Sequence, residues 1–132
     1  MTINLVLADP HPVVLDGLVH LFKNTDEFSI KSCVHDADGA LESVLRFKPD
    51  ILITELIFKN KTGLALIEEM QRHGVQTHPV VFTGACTRDV GLAIDMGVQG
   101  LVSKCQPQQT LTQCIQSVYA GKRWLDKDLA IR

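Results

Sequence analysis

The sequence has 132 residues, 13 basic and 15 acidic side chains, and a formal net charge of -2. This length suits one domain, and the balanced charge gives the chain as a whole no electrostatic footprint for nucleic acid. The four cysteines form no CxxC pair, and the first residues lack the basic and apolar regions of a secretion signal. We therefore expect reduced thiols, a cytoplasmic location and no association with membranes.

The first half of the chain predicts three strands separated by two helices. The strands are predicted at residues 3–8, 28–35 and 51–54. The first and third are apolar runs typical of buried strands, and they end at Asp9 and Glu55, whereas the second alternates like an edge strand. Pro12 suits the first turn of the first helix, and Asp36 or Asp38 could cap the second.

The second half predicts two more strands, at residues 79–83 and 100–103, and three helices. The strands end at Thr83 and Lys104. Gly63 starts one helix and Thr87 is a plausible N-cap for the next. The last helix carries a clean apolar stripe and ends at Gly121. We assign residues 1–121 to one domain and residues 122–132 to the start of a linker toward an effector domain outside this chain.

Strands that alternate with helices predict a parallel sheet covered on both faces. With the strand order 2-1-3-4-5, the polar residues at the strand ends, Asp9, Glu55, Thr83 and Lys104, face one crevice. The acids could hold Mg²⁺, and the hydroxyl and the ammonium could bind oxyanion oxygens. These residue types together suit a phosphate or metal-phosphate site.

Other roles remain open for residues near this edge. Asp9 could equally cap the first helix. A redox switch at Cys86 and Cys105 is imaginable, although cysteine is more often a small buried hydrophobe. His11 could join Glu55 and Cys105 around a transition metal, although no ligand spacing supports it.

The sequence resembles the receiver domain of two-component response regulators, and most closely the receivers that precede a LuxR-type helix-turn-helix. The motifs that carry the resemblance are VLADPHPVVLDGL at residues 6–18, PDILITELIFKNKTG at 49–63, VVFTG at 80–84 and MGVQGLVSK at 96–104. It implies a flavodoxin-like (βα)5 fold and phosphoryl transfer from a histidine kinase to an aspartate after the third strand. In this family two acids hold Mg²⁺, and a threonine and a lysine contact the phosphoryl group.

The sequence departs from the family pattern at three positions. Glu55 stands at the phosphoacceptor position, Pro10 replaces the second metal-binding acid, and Leu101 replaces the switch tyrosine or phenylalanine. The extra methylene of Glu55 advances its carboxylate by over an ångström, and misplacement on that scale can cost on the order of 100-fold in rate. Binding of Mg²⁺ at Asp9 is weakened as well. We expect a degenerate receiver in which Glu55 reaches Lys104 and Thr83 and mimics the phosphorylated state.

The resemblance also implies partners. We expect a homodimer through the last two helices and the fifth strand, a histidine kinase or other signalling protein, and DNA only through an absent effector. One alternative is a stand-alone dimerisation or docking module, and another is a receiver that still takes up phosphate weakly. An enzyme is not expected, since the first turn is DPHP rather than a glycine-rich fingerprint and no nucleophile-base pair is supported.

Overall fold

The computed structural model describes residues 2–84 and 87–130. The strands are β1 (Ile3–Ala8), β2 (Phe28–Val34), β3 (Ile51–Thr54), β4 (His78–Thr83), β5 (Gly100–Ser103) and β6 (Trp124–Leu125). The helices are α1 (Pro12–Lys23), α2 (Ala37–Phe47), α3 (Gly63–Arg72), α4 (Thr87–Asp95), α5 (Gln108–Tyr119) and α6 (Lys127–Ala130). None of the helices described in these two stretches is long and apolar enough to cross a membrane.

The strands form one parallel sheet in the order β2-β1-β3-β4-β5-β6. The predicted α/β fold and the order 2-1-3-4-5 are confirmed. The prediction of only five strands is wrong, because β6 pairs with β5 at Gly100 and Leu101. The residues expected to begin a linker thus contain a strand and a short helix that pack on the domain.

Strand register carries the site residues to one edge of the sheet. Ala8 is paired with Thr54, and Thr83 with Ser103. The next residues of β1, β3 and β5 are Asp9, Glu55 and Lys104. Since parallel strands all point their carboxyl ends the same way, these side chains emerge at a common rim.

Side chains at odd and even positions of a strand point to opposite faces of the sheet and pack against different helices. Leu5 and Leu7 of β1 belong to a cluster with residues of α1 and α5, whereas Val6 and Ala8 pack with α2 and α3. A third cluster joins β4 and β5 to α4 and includes Leu101. The central strands are therefore buried on both faces, which explains their uninterrupted apolar sequences.

Local signals set several helix starts. Pro12 occupies the first position of α1, and Asp36 caps α2 by accepting the N–H of Gly39. Thr62 caps α3, a role that the sequence analysis missed. Thr87 is itself the first residue of α4 rather than the residue before it.

Candidate functional site

Four side chains from four different strand ends meet at the carboxyl rim of the sheet. Lys104 Nζ lies 2.7 Å from Asp9 Oδ2 and 2.8 Å from Glu55 Oε1. Thr83 Oγ1 donates a hydrogen bond to Glu55 Oε2. Asp9, Glu55 and Thr83 are buried, and the Lys104 side chain is 20% exposed. We call these four residues the acid–lysine cluster.

Glu55 is held by the backbone that follows it as well as by its side-chain partners. Its Oε2 atom accepts hydrogen bonds from the N–H groups of Leu56, at 2.5 Å, and Ile57, at 3.2 Å. The loop after β3 closes back onto this backbone, because Gly63 N–H donates a hydrogen bond to the Leu56 carbonyl at 2.8 Å. A Cβ atom on Gly63 would lie 2.4 Å from the Glu55 carbonyl oxygen, so this approach requires glycine.

Asp9 pairs with Lys104 and also binds the start of α1, but the prediction that it caps this helix is wrong, because His11 occupies the cap position. Its Oδ1 atom accepts the N–H of His11, the N-cap residue of α1, at 2.9 Å, and lies 3.2 Å from His11 Nδ1. Its other oxygen faces Lys104. Pro10 lies between Asp9 and His11 in the chain, and its side chain has no atom that could bind a metal ion.

The electrostatics of the cluster favour the charged forms of Glu55 and Lys104. Burial raises the pKa of Glu55, but hydrogen bonds from Lys104, Thr83 and the Leu56 N–H, together with the charge of Lys104, outweigh burial and lower the pKa. For Lys104 burial lowers the pKa, and the contacts with Asp9 and Glu55 raise it above its usual value. One ammonium is thus shared by two carboxylates.

The donor set does not fit a resident Mg²⁺ ion. All four carboxylate oxygens of Asp9 and Glu55 already contact N–H, hydroxyl or ammonium groups. Mg²⁺ needs carboxylate oxygens directed to the metal, and here one oxygen of each acid is directed to the ammonium of Lys104 instead. Within residues 2–84 and 87–130 no group of three or more His, Cys, Asp or Glu side chains could hold a metal ion. The alternative of His11, Glu55 and Cys105 as ligands is therefore wrong.

The contacts of the acid–lysine cluster do not include Leu101, Cys105 or Cys114. Leu101 is fully buried in β5, in the cluster of β4, β5 and α4. Cys105 is exposed, and Cys86 lies outside the described residues. Cys114 is buried in the core, and burial, with a further contribution from the charge of Asp126, raises its pKa to about 12 although a backbone hydrogen bond opposes the rise.

A buried acid in the C-terminal segment was not predicted from the sequence. Asp126 is 5% exposed and accepts hydrogen bonds from the N–H of Ser103 at 3.0 Å and of Asp128 at 2.9 Å. The second of these bonds is that of a helix cap, so an aspartate just before the polar-apolar stretch KDLA was the available signal. The contact with Ser103 had no signal in the sequence.

Comparisons with known proteins agree with this fold. The profile of the response regulator receiver domain matches residues 5–116, and the chain belongs to that family. Among curated relatives, a nitrate/nitrite response regulator protein homolog of Haemophilus influenzae is 25% identical over 121 residues, 91% of this chain and 58% of the relative. The transcriptional regulatory protein DesR of Bacillus subtilis is 28% identical, over 92% of this chain and 60% of its own length. The chain thus spans about three fifths of these relatives.

Solved structures show the same fold at lower identity. The isolated receiver domain of RcsB from Salmonella enterica serovar Typhimurium superposes with a TM-score of 0.89 at 20% identity, covering 99% of this chain and 98% of that one. A LuxR-family response regulator from Aurantimonas sp. SI85-9A1 gives a TM-score of 0.90 at 23% identity, with 99% and 94% covered. The relatives and neighbours therefore include LuxR-type response regulators, as the sequence motifs predicted.

Proposed function

We propose that this chain is a regulatory, non-catalytic receiver domain whose switch does not depend on phosphorylation. The observation that carries the proposal is the Glu55 carboxylate, which contacts Lys104 through one oxygen and Thr83 through the other. In the family pattern these two residue types contact the phosphoryl group of the aspartyl phosphate. A permanent negative charge on their atoms would hold the domain in a phosphorylated-like arrangement.

The site also offers little for a phosphoryl acceptor. Both Glu55 oxygens accept hydrogen bonds or an ion pair, and a carboxylate with a lowered pKa and several donors is a poor nucleophile. Lys104 bridges Glu55 to Asp9, so that each acid already has one oxygen paired with the ammonium. Phosphate uptake would require this network to be dismantled first.

The test is phosphorylation by acetyl phosphate with Mg²⁺, read by intact mass. The wild type should gain no phosphoryl mass, whereas the double variant Glu55→Asp, Pro10→Asp, which restores both acids, should be labelled. The double variant Glu55→Asn, Pro10→Asp is the matched control, because it has the new acid but no acceptor carboxylate. Stoichiometric label on Glu55 in the wild type would refute the proposal, and a small fraction would favour the weak-uptake alternative.

A second measurement separates mimicry from simple inactivity. Amide NMR spectra of the Glu55→Asp, Pro10→Asp variant can be recorded with and without Mg²⁺ and beryllofluoride, an analogue of the phosphoryl group. Under mimicry, the loaded variant should move toward the wild-type spectrum at Thr83 and Lys104. Movement away from the wild type at these amides would mean that Glu55 holds the unphosphorylated arrangement instead.

We further propose that the chain acts in the cytoplasm as part of a transcriptional regulator whose DNA-binding effector lies outside residues 1–132. Family membership and the partial coverage of the curated relatives support this. Solved structures of RcsB include a complex with DNA and two dimers on two parallel DNAs. A histidine kinase or another signalling protein is the corresponding input partner. Residues 1–121 would be the receiver, and the residues from 122 on would lead to the effector.

Self-association through α4, β5 and α5 is the candidate for the dimer. The observation that favours it is Leu92 on α4, whose side chain is 42% exposed while its neighbours Val90 and Ala93 are buried. Because β6 already lies along β5, contact would come from the helix surfaces rather than from strand pairing. Leu92→Asp should abolish dimers in sedimentation experiments, whereas Leu45→Asp on α2, which is 39% exposed in the wild type, should not. Equal effects of both substitutions would argue against this face.

A further inference from the structure

We propose that residues 124–130, which we call the tail, form a latch on the loop that carries Lys104, with Asp126 as the positioning residue. In this arrangement the attachment of the tail and the state of the acid–lysine cluster are coupled. The proposal holds whether or not Glu55 accepts phosphate, because it rests on contacts between the tail and β5.

The backbone of the tail pairs with β5 as far as Leu101, and the Asp126 side chain extends the contact to Ser103, the residue before Lys104. Trp124 N–H donates to the carbonyl of Gln99, and Asp126 N–H donates to that of Leu101, both at 2.8 Å. The Asp126 carboxylate then accepts the N–H of Ser103 at 3.0 Å. The Lys104 N–H in turn donates to the Thr83 carbonyl at 3.1 Å. Consecutive amides are thus fixed by the tail and by β4.

The same carboxylate closes the far side of the loop. Asp126 Oδ1 accepts a hydrogen bond from Gln106 Nε2 at 3.3 Å, and Gln106 N–H donates to the Ser103 carbonyl at 3.1 Å. Lys104 therefore lies within a turn that Asp126 holds at both ends. Since Asp126 is buried, its removal would leave the Ser103 N–H without an acceptor inside the protein.

Apolar packing joins the tail to the interior of the same region. Leu125 and Leu129 pack against the cluster that contains Leu101, the buried residue three positions before Lys104. A shift of Lys104 away from its acids would move the end of β5 and disturb both the Asp126 contact and this packing. By thermodynamic reciprocity, release of the tail must perturb the ion pairs by the same factor in equilibrium terms.

The forward test measures hydrogen exchange of the Trp124 and Asp126 amides by NMR. Lys104→Met should accelerate their exchange by about fivefold or more, and both amides should still exchange faster than those of β2, at the opposite edge of the sheet, because the tail opens locally. Lys59→Met, which removes an exposed lysine from the loop after β3, is the matched control and should leave both rates unchanged. Unchanged rates at Trp124 and Asp126, or rates equal to those of the β2 amides in the same variant, would overturn the coupling.

The reverse test measures the titration of Glu55 in the acid–lysine cluster after a substitution in the tail. Asp126→Ala should shift the titration of the Glu55 carboxylate, followed by ¹³C NMR, to higher pH, because a loosened Lys104 stabilises the ionised form less. Asp126→Asn keeps an acceptor for the Ser103 N–H and should restore most of the wild-type curve. Lys127→Ala, at an exposed position of the same tail, should leave the curve unchanged. A Glu55 titration that Asp126→Ala does not move would refute the latch, and a curve that Lys127→Ala moves equally would do the same.

Discussion

Replacement of Lys104 by methionine should be among the most destabilising changes at the surface rim. At the observed 2.7 and 2.8 Å, each ion pair has a Coulomb attraction of about 6 kcal/mol at an effective dielectric constant of about 20, before desolvation is subtracted. Removal of one partner from a buried pair costs about 3–5 kcal/mol, because the remaining charge is left uncompensated. Here two carboxylates, Asp9 and Glu55, would be left together.

Urea denaturation at pH 7 measures this cost. A loss of about 3 kcal/mol lowers the midpoint by about 1.5 M for a slope of about 2 kcal/mol per molar urea. The deficit relative to the wild type should shrink at pH 5, because the carboxylates of the variant bind protons more readily once the ammonium is gone. Lys59→Met is the control, and the double variant with Glu55→Gln should recover part of the loss. A cost below about 1 kcal/mol that does not change with pH would refute an ion cluster at this rim.

The pH profile of the wild type, the close turn after β3 and the buried thiol give three further predictions. The lowered pKa of Glu55 stabilises the fold above pH 4.5, the ordinary glutamate value, and this stabilisation is lost as the pH falls through the folded pKa. The raised pKa of Lys104 stabilises the fold fully below pH 10.5, and this stabilisation is lost as the pH rises through the folded pKa. Urea midpoints against pH should show both limbs, and Glu55→Gln should flatten the acid limb. Gly63→Ala should destabilise by about 2 kcal/mol or more, since its Cβ would overlap the backbone. Gly91→Ala in α4, with open space around it, should instead stabilise by up to about 1 kcal/mol, and thermal melts distinguish the two. Cys114 should resist iodoacetamide at pH 8 in the folded protein, so Cys114→Ala should take up as many equivalents as the wild type; one equivalent fewer would contradict its burial.

The sequence was sufficient to predict the site because of a general property of parallel sheets. Apolar runs located the strands, and the next residue of each strand necessarily comes to the same edge, which brought Asp9, Glu55 and Lys104 together. The alternation of strands and helices predicted a parallel sheet and the half-polar pattern of β2 an edge strand, whereas the full strand order was assumed and agreed with the family fold. The roles of these residues in signalling stay predictions.

The sequence could not supply the features that depend on short elements or on the backbone. Strand β6 has two residues and α6 has four, so neither is long enough to show a period. The hydrogen bonds from Leu56 and Ile57 to Glu55 arise from the turn after β3, which depends on the close approach of Gly63. The contact of one ammonium with two acids likewise depends on interatomic distances, which cannot be read from the spacing of residues in the sequence.

Strand β6 has a consequence for where this polypeptide can be shortened. A strand at the border of a sheet exposes unpaired N–H and C=O groups that recruit other chains, and β6 occupies that border beside Gly100 and Leu101. A version truncated after Gly121 would expose the edge of β5 and the apolar surface that Leu125 and Leu129 now cover. Such a version should precipitate or form intermolecular sheets in concentrated solution, whereas one that retains residues 122–132 should stay dispersed.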